Sequence, residues 1–265
     1  MTYFLEENES FQGTYYLLNQ QPAESYALIC LLDYKQTPCL FDGKDASPYF
    51  LEMGENEERT FSFETPAIEK GFHDLAILAF SKVDEHDTSE SFRYSTDFNY
   101  LFSTRAAILA DTPPDELPLI EYEKGVFIEE SPSPLNGVVI NLSPDSYSEG
   151  IRAWLHEVIQ PGQTLDYYIQ LGNDDEPDQT YAVLSFLDFQ QIPVNENQLV
   201  AYVSLPTGYR MTIPASLTVP EETGIHELVI VIVRNPYRIR EDLSTRKLIL
   251  PDGIESSIRV AIEVK

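Results

Sequence analysis

Four histidines, at positions 73, 86, 156 and 226, are the side chains best suited to acid–base or metal chemistry near neutral pH. His73 and His226 stand in similar flanks, Gly71-Phe-His-Asp-Leu75 and Gly224-Ile-His-Glu-Leu228, and each pentapeptide runs into an apolar stretch. An active site seldom occurs twice in tandem with the same flanks. We therefore predict structural roles for both histidines at chain corners, and a pH switch or metal site formed separately in each copy is the alternative.

Acidic loops offer the second type of chemistry. Residues 173–178, Asn-Asp-Asp-Glu-Pro-Asp, concentrate the oxygen ligands that a hard cation such as calcium requires, but the EF-hand spacing is absent. Residues 19–24 of the related first segment keep Asn and Pro and lose nearly all the charge, which favours a solvated turn. The candidate calcium ligands are Asp174, Asp175, Glu176 and Asp178. His86, between acidic residues, is the best isolated metal candidate, and a solvated loop is favoured there too.

Motifs for nucleophilic catalysis are missing from the sequence. Neither G-x-S-x-G, a phosphate-binding P-loop nor H-E-x-x-H occurs. Cys30 and Cys39 flank a predicted turn, so a disulfide is geometrically possible, although two buried thiols are the favoured interpretation. Ser185 and Val194 replace them in the second copy, so the fold does not require thiol chemistry. We predict that the protein is not an enzyme and needs no cofactor.

An aromatic segment is the best candidate for binding. Its rings alternate with other residues, and this spacing predicts strands with one aromatic face. Such a face must be covered by the domain's own core or by a partner, for example a protein or a carbohydrate. The rings are those of Phe92, Tyr94, Phe98, Tyr100 and Phe102.

Composition restricts the partners. The 265 residues include 17 Lys and Arg against 44 Asp and Glu, a formal net charge of −27, which disfavours nucleic acid and anionic membrane surfaces. The longest apolar runs, Leu75–Phe80 and Leu228–Val233, are too short to span a bilayer. The N-terminal residues do not resemble a secretory signal, so we expect a cytoplasmic protein, or a surface or extracellular one if the sequence is trimmed.

The elements that position these residues are duplicated. Residues 26–39 match residues 181–194 at an offset of 155, with identical Tyr, Ala, Leu, Asp, Gln and Pro. The shared aspartates, Asp33 and Asp188, are therefore predicted to be structural, like the two histidines. The histidine pentapeptides match at an offset of 153, and residues 103–111 match residues 244–252 at an offset of 141. The smaller third offset predicts an extra segment, 83–102, in the first copy.

Short apolar runs separated by turn signals predict an all-β protein of two tandem Ig-like antiparallel β-sandwich domains. The predicted boundaries are 1–132 for the first domain, 133–136 for a Pro-rich linker and 137–265 for the second domain. Only residues 151–159 fit a helical period, and a strand is favoured there because the repeat aligns them with the N-terminal strand.

The turn motifs of the second domain suggest a family. Pro161-Gly-Gln-Thr164, Tyr167–Asn173 and Gly224–Val231 together resemble bacterial Ig-like β-sandwich repeats, in particular the cell-adhesion-related type. In the first copy Gln12-Gly13 replaces the Pro-Gly of that pattern. The resemblance implies a spacer, adhesive or ligand-presenting module and no catalytic residue.

Three functional hypotheses remain open at this point. The favoured one is a non-enzymatic structural or interaction protein that acts in protein binding, adhesion or surface assembly. The alternative is a carbohydrate- or calcium-binding module that uses the aromatic segment or the loop at 173–178. An enzyme with an unfamiliar motif is the third.

Overall fold

The computed structural model describes the chain except residues 114–116, 124–126, 131–134, 145–153, 175–176, 196–197, 242–247 and 250–252. Part of the predicted linker and residues 175 and 176 of the acidic loop therefore lie outside the described residues. None of the described helices is long and apolar enough to cross a membrane.

The first half of the chain forms ten strands and one short helix, as the short apolar runs predict. The elements are β1 (Thr2–Leu5), β2 (Glu9–Leu18), β3 (Glu24–Leu32), β4 (Lys35–Gln36), β5 (Leu40–Phe41), β6 (Lys44–Asp45), β7 (Tyr49–Met53), β8 (Glu58–Ile68), β9 (Gly71–Ser81), α1 (Glu90–Arg93) and β10 (Leu101–Ala110).

The second half contributes thirteen further described strands. They are β11 (Phe127–Glu130), β12 (Asn136–Asn141), β13 (His156–Ile159), β14 (Thr164–Asn173), β15 (Gln179–Leu187), β16 (Gln190–Ile192), β17 (Ala201–Leu205), β18 (Tyr209–Thr218), β19 (Gly224–Arg234), β20 (Arg240–Glu241), β21 (Leu248–Ile249), β22 (Ile254–Ser256) and β23 (Val260–Val264).

The chain divides into two compact units, and both are discontinuous in sequence. Unit 1 contains Met1–Glu85, Tyr100–Leu119 and Tyr237–Asp252. Unit 2 contains His86–Asn99, Ile120–Pro236 and Gly253–Lys265. The connection that follows β9 thus packs within unit 2, and part of the connection that follows β19 packs within unit 1.

Each unit is a β-sandwich of two main sheets. In unit 1 the strands run β1-β10-β9-β3-β4, with β7 also on β3, and the opposite sheet runs β2-β8-β5-β6. In unit 2 they run β13-β23-β19-β15-β16, with β17 on β15 and β22 on β19, and the opposite sheet runs β11-β18-β14-β12. The prediction of duplicated all-β sandwiches is confirmed, and residues 156–159 form a strand as predicted.

Strand registers give the duplication a nearly constant offset. The parallel pair β1 and β10 matches Thr2 with Ala107, and the parallel pair β13 and β23 matches His156 with Ala261. Both pairs are related by an offset of 154. Ser103-Thr-Arg105 therefore corresponds to Ser257-Ile-Arg259. The sequence match at an offset of 141 was wrong, since its described residues Leu248–Ile249 form β21 and pair with β20. The extra segment predicted at 83–102 loses its basis with it, because the offset is 153 before that segment and 154 after it.

Alternating apolar residues fill the space between the sheets of each unit. The core of unit 1 includes Phe11, Leu28, Ile77 and Ile108 from four different strands. The core of unit 2 includes a larger set of aliphatic side chains, with Ile169, Val183, Ile230 and Ile262 each within 2% of full burial.

Only the end of the aromatic segment, at Phe102 on β10, forms a predicted strand. Residues 90–93 form α1, with Glu90 in its first turn and Arg93 in its last, where each charge complements the helix dipole. Alternation of aromatic residues was a misleading signal because the segment's other residues, which include Ser, Arg and Asp, do not favour a strand.

A disulfide joins Cys30 to Cys39 in the core of unit 1. This corrects the preference for two free thiols. The correction follows from hairpin geometry, since β3 and β4 turn back after Leu32 and bring the two Cα atoms to 6.0 Å. The corresponding residues of unit 2, Ser185 and Val194, are fully buried without a crosslink.

Replacing the disulfide with the pair found in unit 2 should keep the fold and reduce its stability. We expect the double variant Cys30→Ser with Cys39→Val to lose about 2–3 kcal/mol of unfolding free energy, because a loop of this length is no longer closed in the unfolded chain. Chemical denaturation followed by circular dichroism measures the loss. Two titratable thiols in the unreduced wild-type protein would contradict the assignment.

Candidate functional site

The duplicated aspartates and histidines form the same corner in both units. In unit 1, Asp33 and Tyr34 have φ of 52° and 65° and make a two-residue turn between β3 and β4. In unit 2, Asp188 and Phe189 have φ of 49° and 64° between β15 and β16. Positive φ at both positions is the geometry of a type I′ hairpin, which suits the twist of the strands but is unfavourable for residues other than Gly, Asn and Asp.

Aspartate side chains tie these hairpins to the next strand. Asp33 Oδ1 accepts a bond from the Asp74 backbone N–H at 3.1 Å, and its Oδ2 lies 2.7 Å from His73 Nδ1. In unit 2 the matching distances are 2.9 Å from the Glu227 N–H to Asp188 Oδ1, and 2.6 Å from His226 Nδ1 to Oδ2. The second sandwich therefore repeats the corner atom for atom.

Both histidine rings have two acceptors. His73 Nε2 lies 2.9 Å from the Glu69 carbonyl oxygen, and His226 Nε2 lies 3.0 Å from that of Glu222. A carbonyl and an ionised carboxylate can only accept, so the arrangement fits a ring that is protonated on both nitrogens. In that form neither nitrogen has a lone pair with which to bind a metal ion or to accept a substrate proton.

The pKa of both histidines reflects competing effects. Burial has the largest single effect and lowers the pKa of His73, but its bonds and proximity to Asp33 and the Glu69 carbonyl raise it, and the net pKa lies above the ordinary value. The pKa of His226 is raised in the same way, with Asp188 and Glu222 outweighing burial. The structural role of Asp33, His73, Asp188 and His226 stays a prediction.

A buried charged cluster lies next to the corner of unit 1. Asp74 has no exposed surface, and its carboxylate accepts bonds from the Arg105 guanidinium and the Tyr34 hydroxyl. The Tyr34 oxygen in turn accepts the Tyr237 N–H at 3.0 Å. Burial, followed by the charge of Asp74, raises the pKa of Tyr34 well above its ordinary value, so this phenol is no general base.

Unit 2 builds a different cluster around the matching acid. Glu227 corresponds to Asp74 and is paired at 2.6 Å with Arg93 of α1, whose side chain is fully buried. The Arg259 guanidinium lies 3.6 Å from the centre of the Phe98 ring, and that of Arg93 lies 5.0 Å from it. The buried Phe98 ring therefore makes cation–π contacts with two arginines.

The five aromatic candidates fall into two groups. Phe92 and Phe98 are in contact within unit 2, with ring centres 4.3 Å apart, and Tyr94 at the end of α1 is exposed. Tyr100 and Phe102 belong to unit 1, with ring centres 4.5 Å apart. They do not form the single aromatic face that the sequence predicted.

The described acids of the loop at 173–178 cap neighbouring turns. Asp174 accepts a bond from the Leu135 N–H, and Asp178 accepts one from the Thr207 N–H at 3.0 Å. No group of three or more His, Cys, Asp or Glu suited to a metal ion occurs among the described residues, and Asp175 and Glu176 lie outside them. Calcium binding at this loop stays a prediction.

The other two histidines lie partly in solvent. His86 Nδ1 is 3.8 Å from Glu227 Oε1, with about half of its side chain exposed, and His156 Nε2 is 3.2 Å from Glu263 Oε2 at the surface of unit 2.

Sequence reasoning missed a cleft of about 360 Å³ in unit 1, beside β2. Three rings form its apolar wall, since Tyr3 and Phe11 have ring centres 4.7 Å apart and Phe11 and Phe63 have centres 5.8 Å apart. Polar residues at its mouth include Gln12, Thr14 and Thr104.

The cleft exposes a position that should face the core. On β10, Ala106, Ile108 and Ala110 pack towards the opposite sheet, and Thr104 has the same parity. Thr104 is nevertheless exposed, and Ala106 is only half-buried. Val260, which takes the place of Ala106 in unit 2, is completely buried, so the two sandwiches differ in how they are filled here.

Unit 2 identifies what is missing from the cleft. Asn19 and Asn173 are both fully buried, and each holds the equivalent turn of its unit through its Nδ2 atom. The two asparagines are therefore equivalent, at an offset of 154. At the same offset, Gly13 of β2 corresponds to Tyr167 of β14. Tyr167 is buried and faces the small Ala215 across the sheet, whereas Gly13 faces Phe63. Tyr167 also lies against Trp154, with ring centres 6.4 Å apart, and burial raises its pKa to about 12.

The Phe63 ring leaves no room for a side chain at Gly13. A Cβ atom at this position would lie 2.8 Å from the Phe63 ring, closer than carbon atoms approach each other. The large and small residues of the cross-strand pair have exchanged places between the units, and one side of unit 1 is left unfilled.

The sheet edge beside the cleft also differs. In unit 2, β12 runs antiparallel to β14, from Asn136 opposite Asn173 to Asn141 opposite Tyr168, and it buries Val138 and Ile140 in the core. In unit 1, β2 is the last strand of its sheet, and no described strand pairs with its outer edge.

Comparison with known proteins identifies no family for this chain. No protein-family model matches the chain, and no curated protein does. Among solved structures, it is similar to a family 123 glycoside hydrolase from Clostridium perfringens at 12% identity and a TM-score of 0.30, covering 49% of this chain and 27% of that one. It is similar to CBD12 of CALX1.2 at 9% identity and a TM-score of 0.26, covering 99% and 96%.

The corner predicts a specific pH dependence of stability. Because the folded-state pKa of His73 is raised, its contribution is complete below the unfolded pKa of about 6.5 and is lost as pH rises through the folded value. We expect Asp33→Asn to lower the pKa of His73 and to destabilise the protein more at pH 6 than at pH 9. Imidazole titration by NMR and chemical denaturation at both pH values measure this.

Asp188→Asn should lower the pKa of His226 in the same way and should also destabilise the protein more at pH 6 than at pH 9. The control is Asp45→Asn, which removes a carboxylate at an exposed strand position and should not show this difference. A loss of stability for Asp33→Asn that is equal at both pH values would contradict the charged corner.

The buried pair of unit 1 should be costly to break. We expect Arg105→Met to destabilise the protein by about 3–5 kcal/mol, because the Asp74 carboxylate stays buried without its cation. Adding Asp74→Leu should restore part of the loss. The exposed pair of Arg59 and Glu57 is the matched control, and Arg59→Met should change the unfolding free energy by at most about 1 kcal/mol.

Proposed function

We propose that the protein is a non-enzymatic interaction module of two tandem β-sandwiches, which binds a protein partner at the cleft beside β2. The main support is that corresponding positions of the two units are filled differently. Unit 2 fills this space with Tyr167, Trp154 and a covering strand, whereas unit 1 has Gly13 and an open cleft. Aromatic walls with a polar rim are typical of protein interfaces.

The environment of the titratable groups supports a role without catalysis. Catalysis needs a base or nucleophile with a free lone pair beside a substrate site. In their protonated form His73 and His226 donate from both nitrogens, and the buried Asp74 and Glu227 are paired with arginines. These groups hold corners and cores together, and the cleft itself is lined mainly by aromatic, aliphatic and neutral polar residues.

Adhesion or surface assembly is the cellular role that we propose. The turn motifs that resemble bacterial Ig-like repeats support it, and so does the disulfide between Cys30 and Cys39, because structural disulfides persist mainly in oxidising compartments. The sequence alone favoured the cytoplasm, and the crosslink is the reason for preferring the cell surface or exterior.

Filling the cleft should abolish partner binding. Thr104 is exposed at the cleft, so Thr104→Trp can occupy the space without a change in the core. We expect affinity for a captured partner to fall at least about tenfold. Thr218→Trp, the same substitution at an exposed position on β18 of unit 2, should leave the affinity unchanged.

Binding is measured by affinity capture with quantitative mass spectrometry, and thermal melting checks that both variants fold. A partner that both variants retain equally would contradict the proposal.

A further inference from the structure

We propose that the cleft accepts an extended strand of a partner protein, which adds to unit 1 antiparallel to β2. This inference rests on the proposed function, because it specifies how the partner binds. Strand addition to a sheet edge gives affinity through main-chain hydrogen bonds and specificity through pockets for alternate side chains.

The position of the added strand follows from β12 of unit 2. Because Gly13 corresponds to Tyr167, the part of β14 that β12 covers corresponds to residues 14–19 of unit 1. Val138 lies opposite Leu171, and Ile140 lies opposite Ile169, which correspond to Leu17 and Tyr15. A partner strand in the same register would direct two side chains towards the core of unit 1, beside Tyr15 and Leu17. Its end opposite Thr14 would meet the cleft, which residues 11–14 of β2 line.

The cleft is built to receive branched apolar side chains. Leu75 and Ile77 of β9 line it, and their counterparts in unit 2, Leu228 and Ile230, belong to the same core cluster as Val138 and Ile140. Strand β12 also contacts β19, the strand that corresponds to β9. The partner should therefore carry Val, Ile or Leu at alternate positions.

Strand β2, whose outer edge pairs with no described strand, lacks the residues that usually protect an edge strand. Edge strands commonly carry Lys or Pro, which prevent pairing with other chains. The middle of β2 has neither, and its exposed residues Gln12, Thr14 and Tyr16 are uncharged. The one irregularity in its pairing, between Ser10 and Gln12, lies before the segment that would be covered.

Charge determines which strand fits best. Glu58 and Glu64 lie on the solvent-facing side of β8, beside β2, and the whole chain has a net charge of −27. Arg59 of the same strand lies opposite Leu17 and is paired with Glu57. An added strand would lie about 10 Å from β8, within roughly one Debye length at physiological salt. Basic residues at the outward positions would therefore be favoured, and a second copy of this acidic chain would be repelled. We identify the occupant as a basic, extended segment of a different protein.

A peptide with the sequence of β12 and its neighbours tests the inference directly. The probe is residues 135–142 with Val139→Lys, which keeps Val138 and Ile140 inward and adds an outward cation. The control peptide also carries Val138→Asp and Ile140→Asp. Fluorescence anisotropy with the full-length protein should give saturable binding of the probe that is at least about tenfold tighter than that of the control peptide.

Hydrogen–deuterium exchange locates the bound peptide. We expect new protection in β2, at residues 14–18, without change in β14. The variant Thr104→Trp should lose peptide binding at least about tenfold, and Thr218→Trp should retain it. Increasing salt should weaken binding if the lysine contributes through Glu58 and Glu64.

The outcomes separate the mode of binding from the proposed function. Absence of peptide binding, protection confined to β14, or equal binding by Thr104→Trp would overturn strand addition. If a captured protein is nevertheless lost on Thr104→Trp, the interaction function stands and only the strand mode fails. Peptide binding with protection of β2 supports the inference even before a natural partner is known.

Discussion

A β-sandwich is stable only when side chains from both sheets fill the space between them, and the two units meet this requirement differently at one cross-strand pair. In unit 2 the pair is Tyr167 and Ala215, and in unit 1 it is Gly13 and Phe63. Exchanging the large and small residues moves the ring from one strand to the other. Side chains are nearly incompressible in such a core, so the exchange leaves a cleft on one side.

The corners explain why chemically versatile residues recur without implying chemistry. A type I′ hairpin whose second residue is Tyr or Phe is unfavourable by itself, and an aspartate that binds both the next strand and an imidazolium compensates for it. Because this bonding pattern depends on the exact residue types, it persists in both copies while the surrounding core diverges. The repeated histidine is therefore a product of hairpin geometry.

Much of the fold could be predicted from sequence because its signals are local. Apolar runs and turn residues predicted the strands, and the recurrence of Asp and His predicted the corners. The pairing of Cys30 with Cys39 depended on hairpin register, which spacing alone leaves open. The cleft could not be predicted, because it results from the absence of a side chain at Gly13 and of a described covering strand. An alignment of the two halves at an offset of 154 would have revealed the missing side chain, because it matches Gly13 to Tyr167.

The disulfide and the cleft occur in the same unit, and their energies are of similar size. Closing the loop between Cys30 and Cys39 stabilises the fold by about 2–3 kcal/mol. Leaving one large apolar side chain out of a core loses about 1.5–3 kcal/mol. Unit 2, which is filled by Ile140 and Trp154, has Ser185 and Val194 in place of the crosslink. The crosslink in unit 1 therefore contributes stabilisation of about the same size as the packing that its cleft leaves out.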